Sequence, residues 1–214
     1  MKTTLLLLIS LFSSTIVFSQ YEIGFGLGSA IMVKKPGDVD VQSAFNASFY
    51  IHREFRLAPK IIFEPTLSLI SGRYFIDGNF KKDAVGQTTF GITPSNYKQN
   101  RLEITGIRVP LLLKYELYSN SSGEGIAIGA GPYIEYVVSM RQVYKTTNNY
   151  SEEAPINNRF QAGLALDFGT SGRIIKDNRF GFGAGLQYQL TDYLKNNNPS
   201  FKPMVVYLRA GFRF

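Results

Sequence analysis

The chain has 214 residues, with 20 glycines, 17 phenylalanines and 13 tyrosines but neither cysteine nor tryptophan, and it carries 23 Lys and Arg against 16 Asp and Glu. Without cysteine there is no disulfide, thiol nucleophile, thiolate metal site or lipidated N-terminal Cys, so backbone pairing and packing must hold the fold. A net charge of +7 would suit nucleic acid, but no basic stripe with interleaved aromatics stands out, and anionic lipid headgroups are the better match.

Met1 to Ser19 has one lysine, Lys2, an apolar run from Leu5 to Phe12, and Val17-Phe18-Ser19 ahead of Gln20. That is the pattern of a secretory signal peptide, too short and wrongly flanked for a spanning helix. We expect the mature domain to be residues 20–214, with 22 basic and 16 acidic residues once Lys2 is removed. No later apolar run is long enough to cross a bilayer as a helix, which leaves a soluble exported protein or a β-barrel.

Eight segments alternate with period two. In Tyr21 to Lys34, Ile23, Phe25, Leu27 and Ile31 oppose Glu22, Gly24, Gly26 and Gly28, and Lys35-Pro36-Gly37-Asp38 ends the run. From Ser43 to Phe55, Phe45, Phe49 and Ile51 oppose Asn46, Ser48, Tyr50 and His52. From Lys60 to Ile76, Ile61, Phe63, Leu67 and Leu69 oppose Glu64, Thr66 and Ser68, after which Asp77 to Asn100 reads as a long polar loop. Arg101 to Tyr118 sets Ile107, Leu111, Leu113 and Tyr115 against Arg108, Lys114 and Glu116, and a turn of small polar residues follows at Ser119 to Gly125.

Gly125 to Arg141 sets Ile126, Ile128 and Ile134 against Gly129, Gly131, Tyr133 and Glu135, with a second polar loop over Gln142 to Asn157. Asn158 to Phe168 sets Phe160, Leu164 and Leu166 against Arg159, Gln161, Gly163 and Asp167. Arg179 to Tyr193 sets Phe180, Phe182 and Leu186 against Gly181, Gly183, Gly185 and Gln187. Pro203 to Phe214 puts Val206, Leu208, Phe212 and Phe214 opposite Tyr207, Arg209, Gly211 and Arg213. Eight such strands suit an all-β, eight-stranded antiparallel up-and-down transmembrane barrel, with Leu208, Phe212 and Phe214 on a closing strand at the lipid boundary. Long connectors after strands three and five, and short ones after two and four, fit outer loops and periplasmic turns; Gly169 to Asn178 is long for such a turn.

Alternation alone would also fit a soluble barrel with its apolar face inward. The glycines decide it, because they gather on the polar face, where an exposed strand would gain nothing from losing side chains. Inside a narrow barrel they make room for long polar side chains. Glu64, Arg108, Lys114, Glu135, Asp167 and Arg209 are then expected to meet and pair in the lumen as a structural network, with the apolar face toward lipid. Pro65, Pro110 and Pro132 have no edge strand to sit on, so each must occupy a bulge or a missing ladder bond.

Phe63-Glu64-Pro65-Thr66-Leu67, Arg108-Val109-Pro110-Leu111-Leu112-Leu113-Lys114-Tyr115, Ala130-Gly131-Pro132-Tyr133 and the closing Tyr207-Leu208-Arg209-Ala210-Gly211-Phe212-Arg213-Phe214 resemble the PorT-like outer-membrane β-barrel family of Gram-negative bacteria. The resemblance runs through nearly all of the mature chain, and its most specific part is the block from Val109 to Tyr115. It implies outer-membrane residence, proline tolerated at these positions, contact with the barrel assembly machinery, and a role like that of the founding member, in a gliding-associated secretion system.

His52 is the only histidine. As a general base it would make an envelope lipid-modifying enzyme, but its position late in a descending strand fits a lumen or rim residue. There is no G-x-S-x-G, phosphate-cradling loop or metal-ligand cluster in the sequence, so no catalytic, cofactor or metal residue is assigned. Lys81, Lys82, Lys98, Lys195 and Lys202 fall in or beside expected outer loops, where they could contact lipopolysaccharide phosphates. The functional expectation is a non-enzymatic outer-membrane barrel supporting secretion or envelope assembly, the alternative being adhesion or ligand binding through the long loops. The partners expected are outer-membrane lipid, lipopolysaccharide and secretion-system proteins, not nucleic acid.

Overall fold

A computed structural model describes residues 20–34, 41–76, 79–82, 88–91, 99–120, 124–145, 150–153, 158–172, 180–193 and 201–214. The expected export segment, Met1 to Ser19, lies outside them, as do Lys98 and Lys195. In chain order the strands are β1 (Gln20–Lys34), β2 (Val41–Ala58), β3 (Ile61–Ile76), β4 (Asn79–Lys82), β5 (Thr88–Gly91), β6 (Gln99–Ser119), β7 (Glu124–Lys145), β8 (Tyr150–Glu153), β9 (Phe160–Gly172), β10 (Phe180–Gln189) and β11 (Lys202–Arg213). Among the described residues no helix is long and apolar enough to cross a membrane.

Eight strands close a ring in which β1, β2, β3, β6, β7, β9, β10 and β11 each pair with their neighbours, β11 returning to β1. Every pairing is antiparallel, and the eight strands correspond to the eight alternating segments of the sequence. Following paired residues around the wall, Phe63 faces Leu113, then Ala130, Leu166, Leu186, Val206, Ser29 and Phe45, and the path meets β3 again at Arg73, ten residues beyond its start. For eight strands that stagger gives a tilt of about 41° and a backbone radius of about 8 Å. So narrow a cylinder is filled by its own inward side chains.

The outward residues of β1 from Tyr21 to Val33 rise about 30 Å along the axis at this tilt, enough to cross the ~25 Å apolar band of such barrels. The apolar face points outward on all eight strands: Phe25 is 66% exposed, Leu208 68% and Phe160 69%. At the end where the described barrel begins with Gln20 and finishes with Phe214, which we call the termini end, Tyr21 and Phe214 stack with centroids 5.9 Å apart. At the other end, which we call the loop end, Arg101 and Arg73 both pair with Glu103, at 2.9 and 3.5 Å, and mark where the apolar band stops.

The three prolines each sit beside a break in one ladder, with no register shift. Between β2 and β3, pairs form at His52 with Thr66 and at Phe55 with Phe63 but not between them, where Pro65 lies. Between β3 and β6 the break falls at Pro110, and between β6 and β7 it falls at Pro132. A missing bond, not a bulge, is how this wall accommodates a residue without an N–H.

Three sequence expectations need correcting. The stretch 77–100 is not wholly loop, because β4 and β5 pair within it, and 142–157 contains the end of β7 paired with β8. Past the membrane band both faces meet water, so a hairpin there needs no apolar alternation and leaves no periodic trace. The third concerns Tyr193, expected on a strand: β10 ends at Gln189, Leu190 and Thr191 donate their backbone N–H groups to Ala162 O, and the chain turns inward to bury Tyr193.

Candidate functional site

The inward faces build three layers. At the termini-end rim Arg56 pairs with the buried Glu116 at 2.9 Å, and just above it Glu22, Glu64 and Asp167 face Lys114, Arg209 and Arg213, with His52 and Glu54 buried beside them. Lys114 Nζ lies 2.6 Å from Asp167 Oδ1 and 2.7 Å from Glu64 Oε2. Arg209 grips Asp167 with Nε and Nη2 at 3.0 and 2.9 Å and gives Nη1 to Glu22 Oε1 at 3.0 Å. Arg213 Nε donates to Glu22 Oε2 at 2.7 Å, while the Tyr50 and Tyr207 hydroxyls donate to Glu22 and Asp167 at 2.6 and 3.1 Å. Burying ions is costly, and the arrangement offsets that cost by placing opposite charges together and giving Glu22 and Asp167 directed donors, while Glu64 rests on its ion pair with Lys114.

Above this layer a void of about 60 Å³, lined in part by Gly26, Gly28, Ser48 and Ser68, has room for a few waters. The next layer is a second ion pair: Arg108 donates to Glu135 Oε2 through Nε and Nη2, at 2.9 and 2.6 Å, and reaches Gln187 through Nη1. Tyr193 Oη donates to Glu135 Oε1 at 2.9 Å, and the Arg108 guanidinium lies 4.8 Å from the Tyr133 ring centre.

The loop end is closed by an apolar cap. Tyr74, Leu102, Ile104, Val137 and Met140 from the wall meet Tyr193 and Phe201, which are 1% and 0% exposed. Phe201 packs edge-on against Tyr74 at 5.2 Å, and its backbone N–H donates to Asp192 Oδ1 at 2.8 Å. Aromatic side chains from the connector between β10 and β11 thus fill the mouth.

The inward glycines make room for this filling. A Cβ on Gly163 would run into the Tyr133 ring, one on Gly129 into the Lys114 stem, and one on Gly183 would come within 2.7 Å of Arg209 Nε. Large side chains on one strand face bare backbone on the next.

The structure brings Glu64, Lys114, Asp167 and Arg209 into one network and puts Arg108 and Glu135 into a separate pair nearer the loop end. Glu22, Arg213, Tyr50 and Tyr207 complete the network, and sequence reading assigned them only to a polar face. Leu208 and Phe212 face outward on β11 and Phe214 follows it, paired with Tyr21. Lys81 and Lys82 lie on β4 and Lys202 opens β11.

His52 is buried inside the wall, its Nε2 3.8 Å from Glu22 and 3.7 Å from Glu64. The fold also brings it to Glu54 and Glu64 so that one ligand atom from each lies within 4.8 Å of the others, a set the sequence does not display as a cluster. Glu64 is already engaged by Lys114, and Arg209 stands behind it, so the local positive charge opposes a divalent cation. We read the set as part of the packing.

With an apolar exterior and ions within, the molecule is a membrane-type β-barrel. The chain belongs to the family described as outer membrane protein beta-barrel domain, whose model matches residues 17–195, and membership supports an outer-membrane location. Similar solved structures include Ail, the attachment invasion locus protein of Yersinia pestis, crystallised with the heparin analogue sucrose octasulfate (13% identity, 92% of this chain and 97% of that one, TM-score 0.41). Others are OprG of Pseudomonas aeruginosa (15%, 92% and 95%, 0.45) and Neisserial surface protein A (15%, 92% and 97%, 0.40). At these scores they add nothing to the case for the fold, which stands on the pairing and the family. No curated protein matches the chain.

Proposed function

We propose that this is a non-enzymatic, PorT-like outer-membrane barrel that supports protein secretion or envelope assembly by contact with partner proteins. The observation that supports this reading is the filled lumen: ion pairs occupy it toward the termini and the cap around Tyr193 and Phe201 occupies it at the loop end. A barrel so filled is not a conduit, and its work falls to its exterior. In this reading the end with the short Pro59–Lys60 turn is periplasmic and the loop end external, the arrangement that barrels of this kind favour. Lys81, Lys82, Lys98, Lys195 and Lys202 would then meet lipopolysaccharide phosphates; binding unaltered when they are changed to Ser would remove that contact.

Deleting the gene and comparing the secreted and periplasmic proteomes tests the proposal. Cargo held in the periplasm is the expected result. Unchanged secretion with reduced attachment of cells to a surface would favour adhesion through residues 77–100 and 142–157, a reading supported by the backbone pairing of β4 with β5 and of β7 with β8 beyond the ring. An enzyme would hang on His52, buried between carboxylates, and His52→Ala should leave the envelope lipid profile unchanged.

A further inference from the structure

The lipid-facing wall has a defect where two ladder breaks meet. Pro65 interrupts the β2–β3 ladder and Pro110 the β3–β6 ladder, and against this corner lies a hollow of about 250 Å³, lined by Ile51, Arg53, Pro65, Leu67 and Val109, with Tyr21 at its rim. Most of that lining is apolar. His52 and Thr66 also border it, and Arg53 is the residue there that brings a fixed charge.

Arg53 points outward between the buried His52 and Glu54 and pairs across the ladder with Tyr21, so it stands at the termini-end edge of the apolar band. Among the described residues it is the one charge set into the outward face between the rim charges of the two ends. Its guanidinium lies 4.9 Å from the Tyr21 ring centre and 4.6 Å from that of Phe55, which orients it, and its Nε is buried with no hydrogen-bond partner. With Nε enclosed against the Tyr21 and Phe55 rings while the residue as a whole stays partly exposed, the outer Nη edge of the guanidinium is the part that an acceptor from outside the chain would meet. At this depth the available acceptor is a phosphodiester oxygen at the headgroup level, and a guanidinium fork matches phosphate geometry.

The geometry points to a binding site for one glycerophospholipid of the leaflet at the termini end, its phosphate on Arg53 and the upper part of an acyl chain in the hollow between Ile51, Leu67 and Val109. The prolines have a use in this arrangement, since an unbroken ladder would draw the strands together and close the hollow.

The test is native mass spectrometry of the full mature barrel, released from detergent after titration with dioleoyl phosphatidylglycerol or, separately, dioleoylglycerol, which has the same chains and no phosphate. The wild type should retain one phosphatidylglycerol at least fivefold better than dioleoylglycerol. Arg53→Gln should remove that preference, and Arg73→Gln, at the loop end, should keep it. Leu67→Trp, which fills the hollow from a lipid-exposed position, should lower retention of both lipids and gives a second readout should Arg53→Gln fail to fold. A wild-type preference under fivefold, an unchanged preference in Arg53→Gln, or displacement of the lipid by inorganic phosphate alone would overturn the assignment.

Discussion

Lys114 is the residue on which the charge balance of the lower lumen is easiest to upset. It is 1% exposed, donates to Asp167 at 2.6 Å and forms an ion pair with Glu64 at 2.7 Å. In Lys114→Met, Asp167 keeps the two donors of Arg209, so the loss falls on Glu64, whose next ion-pair contact is His52 at 3.7 Å. Leaving one buried charge without its partner costs about 3–5 kcal/mol, and the attraction of two unit charges about 4 Å apart at an effective dielectric of about 20 is about 4 kcal/mol, so the two estimates agree. The folded-to-unfolded ratio should fall by roughly two to three and a half powers of ten. Adding Glu64→Gln removes the stranded charge and leaves Glu22 and Asp167 facing Arg209 and Arg213, so the double variant should recover to within about 1–2 kcal/mol of the parent. The assay is urea unfolding in detergent, read as the mobility of unheated samples on a gel, where the folded barrel and the unfolded chain separate. A loss below about 1 kcal/mol in Lys114→Met, or a double variant weaker than the single one, would refute the charge-balance argument.

Gly163→Ala should lower stability by about 1–3 kcal/mol, because its Cβ meets the Tyr133 ring, and adding Tyr133→Leu should relieve most of that; urea midpoints of the two variants check it. Phe201→Ala opens the loop-end cap at a cost of about 3–5 kcal/mol, yet planar bilayers should show no conductance steps, because the ion-pair layers still fill the bore. The cysteine-free chain also allows single-site labels: a fluorophore on Leu166→Cys should be quenched by nitroxide lipid and one on Lys60→Cys should not.

Much of the wall could be read from the chain because period-two alternation is a property of neighbours in sequence. Tyr21 to Lys34 and Pro203 to Phe214 state their own faces, and each is a strand with that face outward. What lies inside depends on closure, which no local pattern encodes. Glu22 and Arg209 bond across 187 positions, and only the ten-residue stagger brings them level. The cap was hidden for a different reason. Leu190 continues the apolar alternation of β10, so Tyr193 reads as more strand, while the structure ends the ladder at Gln189. The prolines were legible as an anomaly but not as one place. Only pairing shows that the breaks at Pro65 and Pro110 share a corner.

The stagger also limits where selection for function can act. At a radius of about 8 Å each inward position faces another strand's side chains, so a change there must be matched across the bore, as Gly163 is to Tyr133 and Gly129 to Lys114. Outward positions carry no such constraint beyond apolarity, and residues past the band are free even of that. A charge tolerated on the outward wall therefore needs its own compensation, either rim water, as Arg73 and Arg101 have beside Glu103, or a ligand. Arg53, flanked by Tyr21 and Phe55 and with Nε enclosed, has among the described residues no acidic partner of the kind Glu103 supplies at the loop end, and its place at the edge of an otherwise apolar wall fits the second.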